Sequence, residues 1–236
     1  MVNPTAEVRP WTPGDRPPGP SALDGGDPLL WSVRPWGEEP AGPVVLDEME
    51  RGRAAAFRRP QDRAMYLASH TALRVLLGGV LALPPAGVTL VRLACPGCGA
   101  LHGRPAVAGP AGGRVHFSLS HTDGLALVAL AVRPVGVDVE RLPSAATAMD
   151  VSTALHPAER AELERLAATE RPAAFARCWT RKEAYLKGTG EGLAGEALGG
   201  AYLGTGPSPG AQPDGWTVVD VEVPAGFAAA CAVAAA

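Results

Sequence analysis

Two carboxylates open the chemistry of this chain. In Pro134-Val135-Gly136-Val137-Asp138-Val139-Glu140-Arg141 the valines alternate with Asp138 and Glu140, the period of a half-buried strand with both acids on one face. Like charges about 6 to 7 Å apart beside a packed core repel, so a metal ion, an Arg or a Lys is expected between them. Their alternative is a strand end in water, paired with Arg133 or Arg141. A second stretch runs from Phe175 to Leu193. Helical spacing places Phe175, Trp179, Leu186 and Lys182 on one arc, with Glu183 and Lys187 along its edge. A lysine in an apolar arc needs an anion. Asp138, Glu140 and Glu183 could together supply oxygen ligands to Mg²⁺, which keeps waters and substrate phosphate oxygens in its octahedron. That requires the helix to pack over the strand. Glu183 could equally form an exposed i, i+4 pair with Lys187, worth a few tenths of a kcal/mol.

The elements that must position these groups follow from periodicity and punctuation. Leu29 to Val33 reads as a first strand. Asp47 can cap a helix ending near Phe57, after the apolar lead-in Val44-Val45-Leu46, and Pro60 fits the first turn of a longer one. In that helix Met65, Leu67, Ala68, Ala72, Leu73 and Leu76 recur at three and four, and Gly78-Gly79 weakens its end. Val88–Leu93, Val115–Leu119, Leu125–Val132 and Val135–Val139 read as strands. Helix resumes at Pro157 and again after Pro172, and Trp216–Glu222 and Phe227–Val233 close the chain as strands. Residues 1–28 carry seven prolines and no periodicity, so they read as a flexible or loosely docked leader.

Composition bounds the rest. At 236 residues and 47% apolar, the chain can bury a sizeable core as one two-lobed domain or two small ones. A net charge of -3 and a pI near 6.0 lack the basic footprint of nucleic-acid binding. No apolar run approaches a membrane span and the Pro-rich, mixed-charge N-terminus lacks a signal peptide's basic and apolar regions, so the cytoplasm is expected, with no membrane partner. Cys95-Pro96-Gly97-Cys98-Gly99 with His102 close behind offers half of a zinc site, but lacks a second Cys pair. A glycine-rich turn is the expectation there.

Gly-Val-Asp-Val-Glu at 136 to 140, Trp-Thr-Arg-Lys-Glu-Ala-Tyr-Leu-Lys at 179 to 187, Gly190-Glu191-Gly192-Leu193 and the upstream Phe117-Ser118-Leu119-Ser120-His121-Thr122 resemble the motifs of the 4'-phosphopantetheinyl transferases. The resemblance covers roughly residues 44 to 195 and points to the longer, monomeric branch. It implies an α+β fold of two similar α/β lobes in pseudo-twofold arrangement, residues 29–132 and 133–236, with the active site in the cleft between them. It implies a Mg²⁺-dependent enzyme, with Mn²⁺ as an alternative ion. Such an enzyme moves 4'-phosphopantetheine from coenzyme A to a serine of an apo acyl or peptidyl carrier protein, releasing adenosine 3',5'-bisphosphate.

Residue by residue, the resemblance places Asp138, Glu140 and Glu183 at the metal. Ser120 and His121, with Gly103 and Arg104, would meet the 3'-phosphate of coenzyme A, where an imidazole can gain charge beside a dianion. Arg53 is a further phosphate contact. A usually basic position in the following helix holds Met65, with Arg63 nearby. Glu159 would take the proton of the attacking serine, although an acid in a helix's first turn is favoured by the dipole in any case. Lys187 would contact the phosphates and stabilise the leaving group, Lys182 would hold the carboxylate cluster, and Trp179 would pack. Two rivals use the same residues differently: a metal-dependent nucleotide pyrophosphate hydrolase, and a non-catalytic module that binds the carrier protein or coenzyme A.

Overall fold

The computed structural model describes residues 6–36, 45–192 and 196–236. Val44, Leu193 and residues 1–5 of the expected leader lie outside them. Nine strands and six α-helices are described, in the order β1 (Val8–Trp11), β2 (Leu29–Val33), α1 (Glu48–Ala55), α2 (Pro60–Leu81), β3 (Leu90–Arg92), β4 (Pro105–Val107), β5 (His116–Thr122), β6 (Leu125–Ala131), β7 (Val135–Arg141), α3 (Ala145–Val151), α4 (Pro157–Arg165), α5 (Arg171–Thr189), α6 (Glu196–Gly200), β8 (Trp216–Asp220) and β9 (Phe227–Ala234). They form a mixed α+β structure. One sheet has the order β1-β2-β6-β5, a second β7-β9-β8, and β3 and β4 make a separate two-stranded ribbon.

The layers follow from which side chains are apolar. All seven residues of β6 are buried, because both of its faces are covered. Ala126, Val128 and Leu130 pack with Met65, Ala68, Ala72, Leu73, Leu76 and Leu77 of α2. Leu125, Leu127, Ala129 and Ala131 pack with Val135, Val137 and Val139 of β7 and with Ala229 and Cys231 of β9. On the far side of the second sheet, Val218, Ala230 and Ala232 meet Ala184 of α5. The stack is therefore α2, sheet, sheet, α5. The two sheets are also stitched at their edges. Val137 N donates to Ser118 Oγ at 3.0 Å and Val139 N to Ser120 Oγ at 3.4 Å, so serines of β5 replace a backbone ladder along β7. At the opposite edge Ala6 N donates to Asp220 O at 3.2 Å.

Two expectations are corrected. The leader is part of the fold from residue 6: β1 pairs in parallel with β2, and Trp11 and Leu23 sit in the α2 core. A four-residue edge strand that itself contains Pro10 is too short to show a period. The second correction concerns apolar length. The 22 residues of α2 are long and apolar enough to cross a membrane, but its apolar face is the floor of the first core. Met65, at the position expected to be basic, belongs to that floor.

Candidate active site

Asp138 and Glu140 face α5 rather than the sheet interface, because β7 alternates as its sequence does. What brings α5 onto them is an absence of side chain. A Cβ on Gly136 would lie 1.9 Å from Ala184 O and 2.5 Å from Gly188 N, so the helix backbone rests directly on the strand. Gly188 in turn lies under the ring of Trp216, where a Cβ would meet carbon atoms at 2.5 Å. These two glycines set Glu183 and Lys187 above Asp138.

Asp138 is 1% exposed. Its Oδ1 accepts from Lys187 Nζ at 2.6 Å and from Ser120 Oγ at 2.7 Å. Among the described residues its Oδ2 is buried with no hydrogen-bond partner, a costly state for a carboxylate oxygen unless a cation meets it. Glu140 and Glu183 stand close enough for their charges to add. Burial first, then the negative charge of Asp138, pushes each of these two carboxyls up to about 7, and Lys187 opposes the shift. Thr122 also hydrogen-bonds Glu140 and lowers its value. Three carboxylates against one ammonium, with an orphaned oxygen, make a hard oxygen donor set that fits a divalent ion such as Mg²⁺. Lys187 Nζ also donates to Ser120 Oγ at 2.9 Å. An ammonium has three N–H groups, so two orient it, and its side chain remains 32% exposed.

Ser120 therefore belongs to this cluster. It is 6% exposed, and it gives its proton to Asp138 while accepting from Lys187 and Val139. Its neighbour His121 points the other way along β5 and is exposed. Desolvation on its crowded side, then the positive charges of His70, Lys187 and Arg53, holds its imidazole below the usual histidine range. These cations give the exposed ring a locally positive surrounding. Sequence reasoning missed His70, whose Nδ1 lies 3.0 Å from Glu50 Oε1 and whose ring stacks on Tyr66. Its only signal is its position one turn from the apolar stripe of α2. Arg104 lies elsewhere on the site's rim: its Nη1 donates to Gly188 O at 3.1 Å, at the end of α5. Gly103 allows the ribbon to close, since a Cβ there would stand 2.8 Å from Leu93 O and Ala94 O.

Lys182 and Glu159 meet each other. The anion that Lys182 needs is Glu159, 2.9 Å from Nζ, with both side chains at most 2% exposed. Lys182 also donates to Leu198 O at 2.8 Å and to Ala201 O. Glu159 Oε1 accepts from Leu203 N and Gly204 N, and Oε2 from His156 N. Every acceptor direction of this fully buried carboxylate is used within the protein. Arg181 does similar work beside it, bonding Asp220, Gly204 O and Gly206 O. Trp179 stacks on Phe175, as packing.

Comparison with known proteins agrees with this geometry. Residues 134–200 match the family model of the 4'-phosphopantetheinyl transferase superfamily, a segment that holds β7, α4 and α5. The 4'-phosphopantetheinyl transferase HetI of Nostoc sp. is 32% identical over 194 residues, 81% of this chain and 79% of that protein. The 4'-phosphopantetheinyl transferase gsp of Aneurinibacillus migulanus is 33% identical over 82 residues, 34% of this chain and 33% of its own. A 4'-phosphopantetheinyl transferase of Bacillus subtilis is 24% identical over 159 residues, 67% of this chain and 66% of its own. The family-model match, together with 32% identity to HetI over 81% of the chain, shows that this chain belongs to the 4'-phosphopantetheinyl transferase superfamily, as an enzyme of that class.

Proposed function

We propose that this enzyme transfers 4'-phosphopantetheine from coenzyme A to the serine hydroxyl of an apo acyl or peptidyl carrier protein, releasing adenosine 3',5'-bisphosphate. The observation that carries the reading is the orphaned Oδ2 of Asp138 beside Glu140 and Glu183. These three residues would hold Mg²⁺, or Mn²⁺ in its place. When bound, the ion supplies charge neutralisation at the pyrophosphate. Lys187, oriented by Asp138 and Ser120, offers its remaining N–H to a phosphate oxygen and stabilises charge on the leaving group. His121, Arg53 and His70 form the wall for the 3'-phosphate, where a dianion would favour the imidazolium. Arg104, with Gly103 behind it, contributes from the rim.

In this reading residues 29–132 and 133–236 are two similar lobes in pseudo-twofold arrangement, now with residues 6–28 joined to the first. The enzyme acts as a cytoplasmic monomer. Intact-mass measurement of an apo carrier protein, after incubation with the enzyme, coenzyme A and Mg²⁺, tests it. A gain of one phosphopantetheine group is expected. Cleavage of coenzyme A without that gain would replace the reading with pyrophosphate hydrolysis.

A further inference from the structure

The tip of the β3–β4 ribbon gathers three side chains that the transferase chemistry does not use. Cys95, Cys98 and His102 place Sγ, Sγ and an imidazole nitrogen within 4.8 Å of one another, with Cys95 buried and the other two exposed. Cys98 Sγ and His102 Nε2 are 3.0 Å apart. A tight turn brings the three together: Gly99 N donates to Cys95 O at 2.7 Å, and Cys95 N donates to Ala100 O at 2.8 Å. Gly99 takes φ +75° to complete the turn.

Among the described residues, little else holds this tip. Leu93 and Leu101 are 38% and 77% exposed, and the ribbon itself has three residues in each strand. A short excursion without a core is the setting in which a metal replaces hydrophobic burial.

We propose that Cys95, Cys98 and His102 bind one zinc ion, with water in the fourth position, and that this ion locks the ribbon tip. In a tetrahedron with metal–sulfur bonds of about 2.3 Å and metal–nitrogen bonds of about 2.0 Å, ligand atoms stand roughly 3.5 Å apart. The 3.0 Å contact therefore opens slightly and the wider pairs close. Thiolate and imidazole ligands select zinc over the hard ions that suit Asp138, Glu140 and Glu183, so the two sites do not compete. The site has a direct route to α5. His102 lies two residues before Arg104, whose guanidinium bonds Gly188 O and whose side-chain carbons pass 3.6 to 3.7 Å from the Cβ position of Gly190.

The test is metal content of the full-length enzyme, loaded with zinc in a reducing buffer and freed of excess ion. About one equivalent per chain is expected. Asp138→Asn should keep it, and the double variant Cys95→Ser, Cys98→Ser should lose at least about nine-tenths of it. Cobalt loading gives a second readout in the unmodified enzyme: thiolate-to-metal charge-transfer absorption, which an oxygen site cannot produce. Failure of the reduced wild-type enzyme to hold stoichiometric zinc would overturn the proposal, as would equal zinc in the double variant or cobalt spectra without the thiolate band. None of these readouts depends on carrier-protein transfer, so the site and the proposed reaction can fail separately.

Discussion

At the scale of the residue, Asp138 carries the most consequence. Its Oδ1 is fully engaged while Oδ2 is not, and replacement by Asn keeps the shape while removing the charge. Asp138→Asn and Glu183→Gln should each lower transfer by at least about 100-fold, the rate equivalent of roughly 3 kcal/mol of lost charge stabilisation. Circular dichroism should show the fold retained, and unchanged turnover at saturating Mg²⁺ would remove these residues from the metal. Glu159 should behave in the opposite way. Glu159→Gln leaves buried Lys182 without its counter-ion, at a cost of about 3–5 kcal/mol. Turnover per folded molecule should survive, whereas loss of a general base costs roughly 10²- to 10⁴-fold. Denaturant melts and kcat measured on the same samples separate the two. For the phosphate wall, His121→Ala and Arg53→Ala should each reduce the preference for coenzyme A over its 3'-dephospho analogue by about tenfold, the worth of one charge-assisted hydrogen bond. Equal losses for both ligands in calorimetry would return these residues to structural roles.

At the scale of the element, the site depends on how closely α5 approaches β7. Gly136→Ala would force a Cβ into Ala184 O and Gly188 N, both backbone atoms that cannot step aside. The helix must rise, at a cost of about 1–3 kcal/mol or more, and Glu183 and Lys187 rise with it. We expect a lower melting temperature together with a transfer rate reduced even in the folded fraction at low temperature. A variant that melts lower but turns over normally would mean that the close approach serves stability alone. The elements themselves are conventional in origin. Asp47 accepts from Glu50 N while Glu50 accepts from Asp47 N, a capping box that starts α1, and Gly190 in the left-handed region ends α5.

At the scale of the whole molecule, the carboxylate cluster sits where the sheet seam meets α5, so its charge state acts on global stability. Glu140 and Glu183 are held up to about 7 in the fold, above their ordinary range in an unfolded chain. The stability associated with their protonated forms is fully present below the unfolded value, about 4.3, and is lost as pH rises through about 7. Without a divalent ion, stability should therefore fall between about pH 5 and 8. Mg²⁺ favours the ionised forms, so it should raise the melting temperature more at pH 8 than at pH 5.5. Thermal melts with Mg²⁺ or chelator across this range check the sign, and a pH-independent Mg²⁺ effect would contradict the assignment.

The sequence alone determined the alternation of β7, the arc of α5, the cap of α1 and the acids at 138, 140 and 183, because local periodicity and short-range capping are written in neighbouring residues. It also determined that Lys182 required an anion. Which anion was a tertiary matter: Glu159, 23 positions earlier in the numbering, reaches Lys182 because the loop at Leu203 and Gly204 closes over both. Ser120 likewise became a clamp on Asp138 once β5 was laid beside β7. His70 joined His121 through the packing of α2 on the first sheet, and Trp11 drew the proline-rich leader into a core that no local pattern announced. Each of these is a contact between segments far apart in the chain, where charge, shape and burial are decided by what packs opposite and leave no trace in spacing.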